Sequence, residues 1–228
     1  MRKIWIVAIG YGLLMSALIC LLYPCMISDT MVRYAPMADA FARGDWELAF
    51  HPRFGVFFQC VAGSVAWLTG LPGDCACQVV SIFFLSLSAV PVWFLVRELF
   101  GERVAWYAVA AVLVCDDFTR YAMDGLRDVG KCLAFALLGL GAVKERAGWF
   151  ALGLLVLSTL VSYGFAVSVA LAFGWCAYYG CFRRNRRKCV LPFVAVVLGT
   201  AAVTVMVHHY TGHWVPAPHY IKVVGRWL

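Results

Sequence analysis

Long apolar runs alternate with short polar segments along this chain. The apolar runs occupy residues 4–24, 55–70, 78–96, 104–115, 132–143, 147–162, 165–182 and 190–207. They are continuously apolar and lack the alternation of a membrane barrel strand, and most approach the roughly 20 residues that a membrane-crossing helix needs. The pattern therefore predicts an all-α integral membrane protein with about seven transmembrane helices.

Segment 55–70 has about 16 residues where a crossing helix needs about 20, and the distribution of basic residues along the chain indicates that it does not cross. If 55–70 lies in the interface, the short cytoplasmic loops receive Arg2, Lys3, Arg97, Arg103, Lys144, Arg146 and the basic run at 183–188. If 55–70 crosses, every later loop changes side and the basic run falls outside. The positive-inside rule favours the first arrangement.

This arrangement predicts one polytopic domain, residues 1–228, in the plasma (inner) membrane with a cytoplasmic N-terminus. Interfacial helices are expected in a first extracytoplasmic loop, residues 25–77, where Pro36 and Gly44 predict a helix from Ala35 to Arg43. A second acidic loop at 116–131 and a tail at 208–228 are expected on the same face.

Composition supports a membrane protein and argues against a nucleic-acid partner. The chain is 64% hydrophobic and 14% charged, with a mean hydropathy of +0.84. Its net charge is +7, but the densest basic run, from Arg183 to Lys188, lies between two apolar segments, where cytoplasmic anchoring charge is expected. We therefore expect membrane lipid, and no nucleic acid, as a partner.

The 10 cysteines are numerous but do not form a metal signature. Most of them, including Cys20, fall within or beside apolar segments, where cysteine behaves as a small hydrophobic residue. Cys75-Ala76-Cys77 looks like a pair, and a single C-x-C is weak evidence for metal. A structural role, with oxidation if the loop is extracytoplasmic, is the expected one.

The first polar segment, Ser28 to Phe54, carries candidate chemistry. Asp29 lies close to headgroup depth, where a carboxylate could act as a general base toward an acceptor hydroxyl as a lipid-bound group departs. The alternative is a solvated loop aspartate. His51-Pro52-Arg53 could bind an acceptor or a phosphate, and otherwise is an interface turn.

The second polar segment, Asp116 to Lys131, mixes acids and bases. Carboxylates such as Asp124 and Asp128 suit a divalent metal ion, whereas Arg120, Arg127 and Lys131 suit a phosphate or pyrophosphate. Structural ion pairs are the alternative. Ionisable groups at the start of a membrane helix are expensive unless they face a polar cavity, which favours a function. Since both polar segments are expected on one face, we predict that they meet in one site.

These features resemble the C-type glycosyltransferases, membrane enzymes that use polyprenyl-phosphate-linked sugars and include protein mannosyltransferases and aminoarabinose transferases. The resemblance rests on Asp29 with Tyr34 five residues later, an A-x-x-x-A-x-G-D-W-like stretch from Ala38 to Trp46, His51-Pro52, the stretch VWFLVRELFGERV from Val92 to Val104, and Tyr121 followed by Arg127-Asp128. Thr30 stands where many family members have a second acidic residue.

The resemblance implies a glycosyltransferase with Asp29 as catalytic base. By the same likeness, Tyr34, His51, Arg53, Arg120, Asp124, Arg127 and Lys131 are substrate-binding candidates, and Asp128 is a candidate ligand for a divalent metal ion. The donor would be a polyprenyl-phosphate-linked sugar and the acceptor extracytoplasmic.

Two other interpretations remain open from the sequence. Family enzymes usually continue for several further crossings, whereas this chain ends after the seventh. A truncated enzyme, or a non-catalytic subunit that binds a lipid-linked substrate or a second membrane chain supplying further helices, would explain this. A transporter is disfavoured because the ionisable residues cluster at one interface instead of mid-membrane.

Overall fold

The protein is built from helices in every part of the chain that the structure describes. The computed structural model describes residues 2–22, 29–50, 56–160, 164–183, 185, 187–212 and 214, and contains no strand in these ranges. The helices are α1 Arg2–Leu22, α2 Ala35–Arg43, α3 Trp46–Ala49, α4 Val56–Thr69, α5 Gly73–Phe100, α6 Glu102–Val114, α7 Asp116–Met123, α8 Val129–Val143, α9 Ala147–Leu160, α10 Gly164–Ala177 and α11 Arg187–Thr211. Two π-helical turns, Thr30–Tyr34 and Tyr178–Phe182, adjoin α2 and α10.

Helices α1 and α5 are antiparallel and are joined at one end of the fold. Cys20, near the end of α1, forms a disulfide with Cys75, near the start of α5, with the two Cα atoms 5.9 Å apart. Further along, Gly12 packs against Phe83 and Ser86. We call the end that holds this bond the disulfide end.

The later helices continue to alternate between the two ends. Gly141 in α8 packs against Phe150 in α9, and Gly130 packs against Leu160, so α8 and α9 are antiparallel. The indole Nε1 of Trp175 donates to the Lys188 carbonyl at 2.9 Å, so α10 ends where α11 begins. We call this second end, where α5 ends and α6, α9 and α11 begin, the basic end.

The helices match a membrane protein in length and composition. Four spans in the described part of the chain are long and apolar enough to cross a membrane: Arg2–Leu22, Gly73–Phe100, Gly164–Phe182 and Arg187–Thr211. The apolar helices Val56–Thr69, Val129–Val143 and Ala147–Leu160 are shorter. At 1.5 Å per residue, these three are about 21–23 Å long, against a hydrocarbon core of about 30 Å.

Helices α2, α3 and α4 make no net passage between the ends. The disulfide holds the last turn of α1 beside the first turn of α5, so the chain between them leaves and returns at the same end. Helix α2 has the predicted bounds, with Gly44 as its left-handed C-cap at φ 78°. The short segment predicted at 55–70 is α4, which packs mainly on α2 and α5.

Two features differ from the sequence-based expectation. Helix α5 has 28 residues and extends beyond the predicted segment 78–96 at both ends. The extra turns at both ends contain polar residues, with Asp74 in the first turn and Arg97 in the last. These turns are helical because each charge interacts favourably with the helix dipole at its end. The expected role of Cys20 as a plain hydrophobic residue is wrong, because Cys20 bonds to Cys75, and Cys75 therefore does not pair with Cys77.

Candidate functional site

The first polar segment is described from Asp29 onward, where it forms the π-helical turn that leads into α2. The carboxylate Oδ1 of Asp29 lies 3.0 Å from Nη1 of Arg33, and both side chains are about half exposed, at 50% and 52%. Asp29 therefore stays accessible while Arg33 orients its carboxylate. The sequence analysis did not select Arg33, although its spacing of four residues from Asp29 is that of a helical ion pair.

This segment contacts the second polar segment directly. The hydroxyl of Thr30 donates to the backbone carbonyl of Asp124 at 2.6 Å, and both groups are buried. The neighbouring Gly125 has φ 69°, and its Cα approaches the Thr30 methyl so closely that an added Cβ would lie 3.1 Å from it. The two polar segments that the sequence analysis expected on one face are thus in contact.

Helix α5 holds the second segment from the other side. The side-chain amide of Gln78 donates to the Met123 carbonyl at 2.7 Å, and the Ser81 hydroxyl donates to the Leu126 carbonyl at 3.0 Å. These two residues were missed from the sequence. The available signal was two polar residues three positions apart, on one face of an apolar helix.

Arg127 and Tyr34 form a second contact between the polar segments. The guanidinium carbon of Arg127 lies 5.5 Å from the centre of the Tyr34 ring, within the range of a cation–π interaction. Burial raises the pKa of the Tyr34 hydroxyl, and the charge of Arg127 partly opposes this rise. The charges of Asp29 and Asp128 also act on this hydroxyl. Tyr34 is therefore protonated at neutral pH and can donate a hydrogen bond at the junction.

Asp124 is the buried acid of the site. Its side chain is 4% exposed, and its Oδ2 lies 4.0 Å from Nε of Arg120, whose own side chain is 73% exposed. Burial raises the pKa of the Asp124 carboxyl above its ordinary value, with the charge of Arg120 acting in the opposite direction. Asp124 is thus suited to hold the segment in place, and Arg120 points its charge toward solvent.

Asp128 and Lys131 lie where α8 begins and form an ion pair. Their side chains are 44% and 26% exposed. Gly130, between them, packs against Phe84, which lies about 16 Å along α5 from its first residue at 1.5 Å per residue. These charges therefore lie within the length of α5 and not beyond its end. Ionisable groups at such a depth favour a functional role over a purely solvated one.

The arrangement combines a half-exposed carboxylate with nearby cations. Asp29 can accept a proton, while Arg127 and Lys131 on the adjoining segment can stabilise an anion. Asp116 and Asp117 lie in the first turn of α7 and are exposed. They are not among the residues whose contacts join the two segments.

Some predicted site residues fall outside the described part of the chain. His51 and Arg53 lie there, as do residue 213 and all of the predicted tail from 215 to 228. Within the described residues, no group of three or more His, Cys, Asp or Glu side chains is placed to hold a metal ion. The role of Asp128 as a metal ligand stays a prediction.

Helix α2 is hydrogen-bonded to the N-terminus of α5 next to the candidate site. The carboxylate Oδ1 of Asp39 accepts the backbone N–H of Gly73, the first residue of α5, at 2.7 Å. Gly73 also packs against the Ala35 carbonyl, so the two helices touch at their backbones. A carboxylate at a helix N-terminus satisfies an open N–H and complements the helix dipole. Helix α2 is therefore held against the first turn of α5 through Ala35 and Asp39.

The chain matches no family model, no curated protein and no solved structure.

Proposed function

We propose that this protein is a membrane glycosyltransferase that moves a sugar from a polyprenyl-phosphate-linked donor to an extracytoplasmic acceptor. The observation that carries the proposal is the contact between the two polar segments through Thr30 and Asp124. This contact joins the segment that carries the half-exposed Asp29 carboxylate to the segment that carries Arg127 and Lys131. A transferase that releases a lipid phosphate needs both groups together.

In the proposed reaction, the carboxylate of Asp29 takes the proton of an acceptor hydroxyl. The acceptor oxygen bonds to the anomeric carbon of the sugar as the bond from that carbon to the phosphate oxygen breaks. The polyprenyl phosphate leaves as an anion, and Arg127 and Lys131 stabilise its charge. Arg33 orients Asp29. A divalent metal ion near Asp128 would assist the departure of the phosphate.

The proposal includes seven crossings, formed by α1, α5, α6, α8, α9, α10 and α11, in the plasma (inner) membrane. The alternation of these helices between the two ends supports it. The orientation has two supports at opposite ends. A disulfide between Cys20 and Cys75 suits an oxidising extracytoplasmic compartment, and the exposed Arg103, Arg146 and Arg187 at the basic end suit the cytoplasm. The site is at the disulfide end, and the N-terminus is therefore cytoplasmic.

The test is transfer by purified protein in liposomes, with polyprenyl-phosphate-linked mannose and glucose as donors and envelope extract as acceptor. Asp29→Asn removes the base but keeps an oxygen that can face Arg33, so the fold should be intact. We expect transfer to fall by about 10²–10⁴-fold, the usual contribution of a general base. Asp117→Asn, an exposed acid outside the contact, is the matched control and should transfer normally. An unchanged rate in Asp29→Asn would remove Asp29 from this role.

A non-catalytic membrane subunit is the second candidate, and one observation favours it. Asp29 and Asp128 each pair with a cation in their own segment, Arg33 and Lys131, as structural acids do. In this case the chain would bind a lipid-linked substrate or a second membrane chain that supplies further helices. Co-purification of such a chain, together with no release of polyprenyl phosphate by the isolated protein, would favour the subunit.

A further inference from the structure

A cavity lies at the basic end, far from the candidate site. Its volume is about 430 Å³, within the roughly 300–1,000 Å³ typical of ligand pockets. It is lined by parts of α8, α9 and α10, by the turn before α9 and by the π-helical turn after α10. The lining includes Glu145, Phe150, Leu171, Gly174, Trp175 and Tyr179. Nothing in the proposed transfer reaction uses these residues.

The inner wall of this cavity is rigid and aromatic. The rings of Phe150 and Trp175 stack with centres 4.1 Å apart, and those of Trp175 and Tyr179 lie 4.5 Å apart. Trp175 is fixed further by its hydrogen bond to Lys188. On the outer side, the cavity is bounded by Ala170 and Gly174, which are exposed. The cavity is thus preformed and opens on the face where lipid chains would lie.

The polar rim of the cavity carries more positive than negative charge. Glu145 accepts hydrogen bonds from Arg183 at 3.1 Å and from Lys188 at 3.0 Å. These two cations pull the pKa of the Glu145 carboxyl below its ordinary value, with Lys188 acting most strongly. Arg183 and Lys188 together carry one more charge than the carboxylate they share, and the adjacent Lys144 pairs with Glu98. Glu145 itself has φ 51° and lies just past the end of α8, where the Arg146 N–H bonds to the Gly141 carbonyl at 2.9 Å and closes the helix.

Lys188 already fills the position beside the Tyr179 ring and the Glu145 carboxylate, which a cationic ligand would otherwise take. The ammonium of Lys188 lies 4.7 Å from the centre of the Tyr179 ring and is bonded to Glu145. The guanidinium of Arg183 lies 5.8 Å from the Tyr178 ring, and its Nε donates to the Tyr178 hydroxyl. The carboxylate and the rings are therefore engaged by cations, and the remaining positive charge suits an anion.

We propose that this cavity binds one anionic phospholipid. Its phosphodiester lies against Arg183 and Lys188, and one acyl chain fills the aromatic-walled cavity beside Gly174. Basic pockets between membrane helices at the cytoplasmic side recognise anionic headgroups in this way. The proposal is independent of the transfer reaction, because the cavity and the candidate site are at opposite ends of the fold.

The test is native mass spectrometry of the full chain in detergent, titrated separately with phosphatidylglycerol and phosphatidylethanolamine. We expect one phosphatidylglycerol per chain, and weaker binding of phosphatidylethanolamine by about fivefold or more, as expected for the loss of one net charge beside the cations. Equal binding of the two lipids would overturn the anionic headgroup. Several lipids bound without a distinct first one would overturn the single site.

Two variants with matched controls locate the lipid. Gly174→Trp fills the cavity from its open side, and should lower phosphatidylglycerol occupancy to below about a tenth of the wild-type value. Gly10→Trp is its control, because neither glycine has a neighbour within 4 Å of an added Cβ. Arg183→Gln should weaken binding about fivefold, while Arg103→Gln, an exposed arginine at the start of α6, should have no effect. Unchanged binding in both Gly174→Trp and Arg183→Gln would refute the site, and if Gly174→Trp does not fold, Arg183→Gln alone decides.

Discussion

Replacing Gly125 by alanine tests the contact between the two polar segments. Gly125 has φ 69°, and an added Cβ would lie 3.1 Å from the Thr30 methyl, 3.1 Å from the Gln78 backbone nitrogen and 3.2 Å from the Cys77 Cβ. The left-handed conformation alone costs alanine roughly 1 kcal/mol. Crowding against a helix backbone that cannot move aside adds about 1–2 kcal/mol. We therefore expect Gly125→Ala to lose about 2–3 kcal/mol of unfolding free energy.

Gly70→Ala is the matched control, because Gly70 has φ 71° and no atom within 4 Å of an added Cβ. It should lose only the conformational part, roughly 1 kcal/mol. The measurement is reversible unfolding in mixed micelles of a mild detergent and dodecyl sulfate, followed by tryptophan fluorescence. The difference between the two variants isolates the crowding. If they agree to within about 0.5 kcal/mol, the segments are not closely packed and the reasoning fails.

Three further predictions concern the supports of the site. The disulfide between Cys20 and Cys75 spans a sequence separation of 55 residues, so Cys20→Ser should lower the unfolding free energy by about 4 kcal/mol in the chain-entropy model. A reductant should lower the midpoint of denaturant unfolding of the wild type but not that of the variant. Asp39→Ala removes the acceptor for the Gly73 N–H and should lower the unfolding free energy by about 1 kcal/mol, whereas Asp39→Asn keeps an oxygen and should lower it less. Equal losses in the two variants would show that this hydrogen bond does not stabilise the start of α5. Because the pKa of Asp124 is raised in the folded state, folded protein binds this proton more tightly, and the stability that Asp124 contributes should fall as pH rises above the ordinary value of 3.8. Denaturant titrations at several pH values should therefore show the unfolding free energy of wild type falling relative to that of Asp124→Asn.

The sequence was sufficient to predict the contact between the two segments because that contact depends on topology. Counting basic residues on each side predicted Asp29 and Asp128 on one face, and the hydrogen bond from Thr30 to the Asp124 carbonyl shows that their two segments touch. The membrane face on which they lie stays a prediction. The bounds of α2 were also predictable, since Pro36 and Gly44 act locally. The roles of Asp29 and of the substrate-binding candidates stay predictions.

Other features depend on the relative positions of distant helices and could not be predicted. The bond between Cys20 and Cys75 depends on how far α1 is shifted along α5. Likewise, Gln78 and Ser81 were treated as part of an apolar segment, because only the folded chain shows that loop carbonyls lie beside them. Arg33 was passed over since its partner is apparent only once the turn after Asp29 is known to be helical.

The unequal helix lengths have a consequence for the surrounding bilayer. Helices α8 and α9, with 15 and 14 residues, are about 7–9 Å shorter than a hydrocarbon core of about 30 Å. Their Phe135, Leu152 and Leu155 are exposed on the outside of the fold. A membrane thins beside helices that are too short for it. If α8 and α9 cross as proposed, we expect the leaflet at the disulfide end to thin toward Asp128 and Lys131. Water and lipid headgroups would then reach these charges, and neither charge would have to enter the hydrocarbon core.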